Sequence, residues 1–242
     1  MCTVSFVRLK DAVIITSNRD ENILRKNAAA PAFLESKNKK IIFPRDPQAG
    51  GTWFAANENG IVAVLLNGAF KKHISKPPYR KSRGLVLLEL VEAHDPLTHF
   101  SQLELRDIEP FTVILFQQEQ LHVLRWDGVD KHMQEQDALA DHLWSSSTLY
   151  TAEIIQKRLE LFERFTKSTE KATPQLIRDF HGDDHGDPEN GFVMRRPDGV
   201  KTFSITQAIV STGSIDLLHH DLLQQQQFEE RLLIVENIAA QR

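Results

Sequence analysis

The chain opens with apolar and polar positions that alternate. Val4-Ser-Phe-Val-Arg-Leu9 reads as a strand, Lys10-Asp11 as a turn and Ala12 to Thr16 as the returning strand. A polar segment from Ser17 to Asn27 follows as a predicted loop. Ile41 to Phe43 reads as a short strand before the loop from Pro44 to Gly51. The clearest hairpin signal lies next: Thr52 to Ala56, then Asn57-Glu-Asn-Gly60, then Ile61 to Leu66. The run from Ile61 to Leu66 barely alternates, which predicts a strand covered on both faces.

Gly84 to Ala93 is long and rich in leucine, so it reads as a buried helix. Asp95-Pro96 supplies the N-cap and first turn of a second helix ending near Leu103. Phe111 to Phe116, Leu121 to Trp126 and His132 to Gln134 form a predicted meander, with turns at Gln118-Glu119 and Asp127-Gly128. Thr151 caps a helix whose apolar face carries Ile154, Ile155, Leu159, Phe162 and Phe165. Pro174 to Phe180 is a further helix. Phe192 to Arg196 and Phe203 to Val210 are predicted to pair across Pro197-Asp198-Gly199. This order suits an α+β protein with antiparallel sheets and helices on their outer faces. No linker or repeat interrupts it, so residues 1–242 read as one layered domain.

Composition narrows the class. Hydrophobic residues make up 41% and charged residues 26%, values ordinary for a globular chain. A formal net charge of -4 leaves no basic excess to neutralise phosphates, which argues against a nucleic-acid partner. Lys37, Lys39 and Lys40, like Lys71 and Lys72, read as solvated loop positions. No stretch is apolar enough for an integral membrane segment. Arg8, Lys10 and Asp11 break any signal-peptide pattern at the start. A single cysteine permits no intrachain disulfide, and the cytoplasm is the expected compartment. Oligomeric state is not legible.

That cysteine is the main chemical lead. Cys2 follows Met1, and removal of the methionine would give it a free α-amine with a reference pKa of about 7.7–8.0. Beside it lies a thiol of pKa about 8.5, so one residue offers both nucleophile and base. The bland alternative is a buried, inert cysteine. Asn18-Arg19-Asp20-Glu21 follows the second strand, where a hairpin returns toward the level of Cys2. Arg19 would hold a thiolate or a substrate carboxylate, and Asp20 would orient an α-ammonium. The bland alternative there is a surface ion pair.

Other constellations are weaker. His181 and His185 stand among Asp183, Asp184 and Asp187, a set with metal-binding chemistry. Two glycines and a proline break any helix that would align them, so a polar loop capping a helix end is the reading adopted. His73 and His219-His220 have haem-ligand chemistry, yet no Cys-x-x-Cys-His motif accompanies them. Trp53 and Phe54 suit either an apolar ligand site or the core. No glycine-rich phosphate loop is present, and neither a metal nor a cofactor is expected.

Met1-Cys-Thr3, Asn18-Arg-Asp-Glu21, Gly50-Gly-Thr-Trp53, Asn59-Gly60 and Asn67 occur together in this order. In that set the chain resembles the NRDE family, also called the transport-and-Golgi-organisation-2 family. The family is similar in turn to the cysteine N-terminal-nucleophile hydrolases, such as the penicillin V acylase and bile-salt hydrolase group. The resemblance implies a four-layer αββα sandwich and hydrolysis of a linear amide or related acyl bond. Cys2 would then attack a carbonyl, Arg19 and Asp20 would position it, and Asn67 would donate to the oxyanion. Asn18, Gly51, Trp53, Ser145 and Ser146 are the implied substrate-binding positions.

The likeness has departures. The acylases carry Arg-Asn-x-Asp where this chain has Asn-Arg-Asp-Glu, and they place an asparagine where it has Trp144-Ser-Ser-Ser147. Their late arginine has no match beyond the neighbouring Arg195, Arg196 and Lys201. The same resemblance also implies a rival of another class, a non-enzymatic carrier or trafficking factor for haem or for lipid or acyl ligands. A scaffold with no small-molecule site is the third reading. The hydrolase reading expects Arg19 and Asp20 beside Cys2 at one end of two stacked sheets.

Overall fold

The computed structural model describes residues 3–36, 39–169 and 171–235. Two antiparallel sheets form the centre of the fold. The six-stranded sheet runs β10-β1-β2-β11-β12-β13, and the seven-stranded sheet runs β3 through β9 in sequence order. The six-stranded sheet holds β1 (Thr3–Arg8), β2 (Ala12–Asn22), β10 (His142–Ser145), β11 (Val200–Ser211), β12 (Ser214–Asp221) and β13 (Gln226–Leu233). The larger sheet holds β3 (Ala29–Ser36), β4 (Lys39–Arg45), β5 (Phe54–Asn57), β6 (Val62–Asn67), β7 (Phe111–Gln117), β8 (Gln120–Trp126) and β9 (Lys131–Gln136). Helices α1 (Arg83–Glu92) and α2 (Pro96–Gln102) cover the larger sheet, with α1 on β4, β5 and β6. Helices α3 (Ala152–Ser168) and α4 (Pro174–His181) cover the smaller one, on β10, β2 and β11. The result is the expected α+β arrangement, a four-layer αββα sandwich. Among the described residues no helix is long and apolar enough to cross a membrane.

Strand alternation builds two separate cores from the same segments. In β1, Val4 and Phe6 enter the space between the sheets, whereas Val7 packs beneath α3 and α4. In β2, Val13 and Ile15 join the first core and Ile14 the second. Phe162, Ile177 and Phe180 close the second core from the helices. Each such large side chain stabilises the fold by about 1.5–3 kcal/mol through burial. The helix starts are fixed by side chains: Ser82, Asp95, Thr151 and Thr173 each accept from a backbone N–H of the first turn.

The structure corrects several expectations. The segment from Ser17 to Asn22 is not a loop; β2 continues through it as a central strand paired with β11. Phe192 to Arg196 is not a strand, and its pairing reduces to one bridge between Arg195 and Lys201. The turn at Arg196 to Gly199 is present, closed by Gly199 N–H to the Arg196 carbonyl. Strands β3, β10, β12 and β13 were not predicted. In α3, Arg158 rather than Leu159 is the buried residue between Ile154 and Phe162.

Gly51 and Gly84 allow the α1 N-terminus to rest directly on the chain after β4. A Cβ at Gly51 would lie 2.4 Å from the Gly84 carbonyl carbon, and one at Gly84 would lie 2.7 Å from the Thr52 oxygen. Backbone on both sides leaves no flexible group to yield. Gly51→Ala should therefore lower the melting temperature by about 5 °C or more, the range expected of overpacking in a chain of this size. A thermal melt within one degree of the parent protein would contradict this contact.

Candidate functional site

Continuation of β2 places Asn18, Arg19 and Asp20 in the middle of a sheet. Thr3 pairs with Asn18 on one side of the strand and with Ser145 of β10 on its own other side. Arg19 pairs with Ser204 and Asp20 with Thr202 of β11, across a bulge at Phe203. Met1 and Cys2 lie outside the described residues. The other predicted positions fall as follows.

Asn18 faces the helices. Its amide donates to the carbonyls of His181 and Phe192, at 2.9 and 3.0 Å. This leaves its oxygen to accept from His181 Nδ1, and Ser5 Oγ meets His181 Nε2 at 2.8 Å. The Ser5–His181–Asn18 chain has the connectivity of a nucleophile relay, but all three residues have zero exposure. It acts as a polar tie between sheet and helix. Burial, with the Arg158 charge second, holds the His181 imidazole down at about 3.

Asp20 shares that face. Thr202 Oγ1 donates to one carboxylate oxygen at 2.5 Å and the Tyr150 hydroxyl to the other at 3.2 Å. Arg19 points the opposite way, into the space between the sheets, with 1% exposure. Its guanidinium lies 4.6 Å above the Trp53 ring and 5.4 Å from that of Phe203. Nη2 donates to Asp46 at 3.3 Å, and Glu21 stands 3.9 Å away. Burial lowers the Arg19 pKa from its ordinary value, while Glu21 and Asp46 oppose the shift. Burial works against the Asp46 carboxylate too, yet Arg25 and the N–H groups of Gln48 and Ala49 hold it below the usual range.

Asn67 ends β6 opposite the serines that follow β10. Ser146 Oγ donates to the Asn67 carbonyl at 2.8 Å, and Ser145 Oγ accepts from Arg158 Nε at 3.2 Å. Gly68, at φ +80, brings its backbone so near that a Cβ would meet Ser147 Oγ at 2.6 Å. Gly51 packs on Gly84 as described, and Trp53 lies under Arg19. Arg19 Nη1, Trp53 Nε1, Asn67 Oδ1, Ser147 Oγ and Ser204 Oγ are all buried without a partner among the described residues. His73 Nδ1 and His122 Nδ1 are orphaned likewise. Each such group costs about 1–3 kcal/mol when left unmade, and the five around Arg19 and Asn67 make this end of the sandwich a candidate site.

Sequence reading missed Asp46, Tyr150, Arg158 and Thr202, none of which had a local signal, and it raised His181 and His219 only as weak metal or haem candidates. His219 sits beside Trp53, with ring centroids 6.1 Å apart, and its Nδ1 meets Thr206 Oγ1 at 2.9 Å. Burial holds it at about 4, against the opposing charge of Asp221. His73 meets Glu109, and His185 meets the Phe180 carbonyl.

The sequence profile described as "Transport and Golgi organisation 2" matches residues 1–188. No curated protein matches the chain. Among solved structures, the chain is similar to the Caenorhabditis elegans N-acylethanolamine-hydrolyzing acid amidase ortholog, with a TM-score of 0.60 and 10% identity over 85% of this chain and 92% of that one. A mutant of the conjugated bile acid hydrolase from Clostridium perfringens gives 0.55 and 11%, over 95% of this chain and 92% of its own. A second variant of that hydrolase gives 0.53 and 9%, over 98% and 100%. At these identities the likeness is one of fold.

The two buried histidines set a pH dependence. Their folded pKa values lie below the unfolded value of about 6.5, so the unfolded chain binds more protons as the pH falls. Stability is therefore full above pH 6.5 and declines between that value and about 4 for His219 or about 3 for His181. At pH 5 each histidine should cost roughly 2 kcal/mol relative to pH 7. Urea unfolding at the two pH values checks this, and a midpoint that does not fall at pH 5 would refute it.

Proposed function

The chain belongs to the Transport and Golgi organisation 2 family, and we propose that it is a cysteine N-terminal-nucleophile hydrolase cleaving a linear amide or related acyl bond. One observation carries the reading: Thr3, joined by a peptide bond to Cys2, is registered against Asn18, next to the buried Arg19. Val4 and Phe6 face the same inter-sheet space as Arg19. The hydrolase fold of the structural neighbours supports the reaction class.

In this mechanism, loss of Met1 frees the Cys2 amine. The amine takes the thiol proton, and the thiolate attacks the substrate carbonyl carbon. The carbonyl electron pair moves to oxygen, where Asn67 and Arg19 donate hydrogen bonds to the developing charge. Collapse expels the leaving amine, which takes the proton back from the α-ammonium, and a thioester remains. Water, deprotonated by the same amine, then attacks the thioester and releases the acid and the free thiol. Asp20, held by Thr202 and Tyr150, orients the ammonium.

Intact-mass analysis before and after brief exposure to a thiol-directed acyl electrophile tests the reading. The expected result is a chain lacking Met1 and labelled rapidly once. Cys2→Ala should abolish the labelling, while Asn67→Ala should slow acylation by about 10²–10³-fold, as loss of an oxyanion donor does. A Cys2 no more reactive than a free cysteine would sink the hydrolase and favour a carrier for haem or an acyl ligand on the same fold.

A further inference from the structure

Arg158 is the most constrained charge on the helical side of the site. It projects from the core-facing stripe of α3 with 3% exposure, one turn after Ile154 and one before Phe162. Its guanidinium reaches four separate acceptors. Nε donates to Ser145 Oγ, Nη1 to the carbonyls of Asn190 and Gly191, and Nη2 to Thr3 Oγ1. The guanidinium carbon lies over the rings of both Tyr150 and Phe192, 4.4 Å from each centroid. All these acceptors are neutral, and no carboxylate pairs with Arg158 among the described residues. A buried cation answered only by dipoles and ring faces keeps an uncompensated field, which structural ion pairs do not.

Resting on the hydrolase reading above, we propose that Arg158 is a positioning residue for the reaction. It clamps Thr3 and Ser145, the two residues that register the first strand, and its charge favours the unprotonated amine and the thiolate of the adjoining Cys2. Other charges define what it acts against. Asp20 accepts from the hydroxyl of Tyr150, whose ring lies against the Arg158 guanidinium, and favours the ammonium. Arg196, 5.3 Å from the Tyr150 ring, adds to the field of Arg158, as Arg19 does from the other face. His181 is buried and neutral, and its depressed titration already registers Arg158. His185, Lys157, Glu160, Arg164, Asp184 and Asp187 line the groove beside Arg158, where water screens them.

The test is the pH dependence of iodoacetamide alkylation at Cys2 in the full chain, read by intact mass, for the parent protein, Arg158→Gln and Arg158→Lys. The parent should show a midpoint below the free-thiol value of about 8.5. Arg158→Gln should raise it by about one pH unit. Arg158→Lys keeps the charge but loses the fork, so it should hold the midpoint while slowing acylation several-fold. An Arg158→Gln protein that melts normally and keeps the parent midpoint overturns the proposal. Where Arg158→Gln does not fold, an Arg158→Lys midpoint as high as a free thiol, or an acylation rate equal to the parent, overturns it instead. A parent Cys2 without enhanced reactivity defeats the hydrolase reading itself, whereas an activated parent unmoved by Arg158→Gln defeats this inference alone.

Discussion

A central strand that carries Ser17, Asn18, Arg19, Asp20 and Glu21 in succession must satisfy polar side chains on both of its faces. Buried donors and acceptors left unmade would outweigh the backbone ladder that holds the strand in place. The helical face answers with His181, Thr202 and Tyr150, and the inter-sheet face with Asp46, Trp53 and neighbouring hydroxyls. Those partners come from α4, β11, the turn before α3 and the loop after β4. Elements far apart in sequence are thereby drawn to one end of the sandwich by the needs of a five-residue stretch.

The two faces do different electrostatic work. Toward the helices, Asp20 and Arg158 meet through the ring and hydroxyl of Tyr150 without touching. Toward the opposite sheet, Arg19 and Arg25 share Asp46, and Glu21 completes a balanced group. A row of small hydroxyls then runs outward, with Ser17 paired to Thr206 and Thr206 to His219. Here the inter-sheet layer changes from aliphatic packing to polar lining within two residues of Ile15.

The apolar pattern made much of the fold legible. The hairpins at residues 3–16 and 52–66, the meander and the four helices among the described residues could be read because burial on one side left a period in the sequence. Three of the missed strands, β3, β10 and β13, are sheet edges, where Pro31, His142 and the Gln226-Gln227 pair suit an unpaired margin but erase the signal. The fourth, β12, alternates well, but His219 and Asp221 occupy its inward positions and disguise it. The site was legible where short motifs stand together, as at Asn18 to Glu21. Arg158 was not, since a cation on a helix stripe reads as solvent-facing until the acceptors around it are known. Asp46 and Thr202 gain meaning only from residues 20 or more positions away.

Strand β1 is bordered by β2, made next, and by β10, made about 140 residues later, while β11 pairs with the far side of β2. At roughly 5–20 residues per second of synthesis, the chain start waits about 10–40 s for the last of these neighbours. During that interval the first hairpin stands without the clamp from α3. An enzyme that trims residues ahead of Thr3 therefore has its opportunity on the ribosome, before the sandwich closes over the strand it must reach.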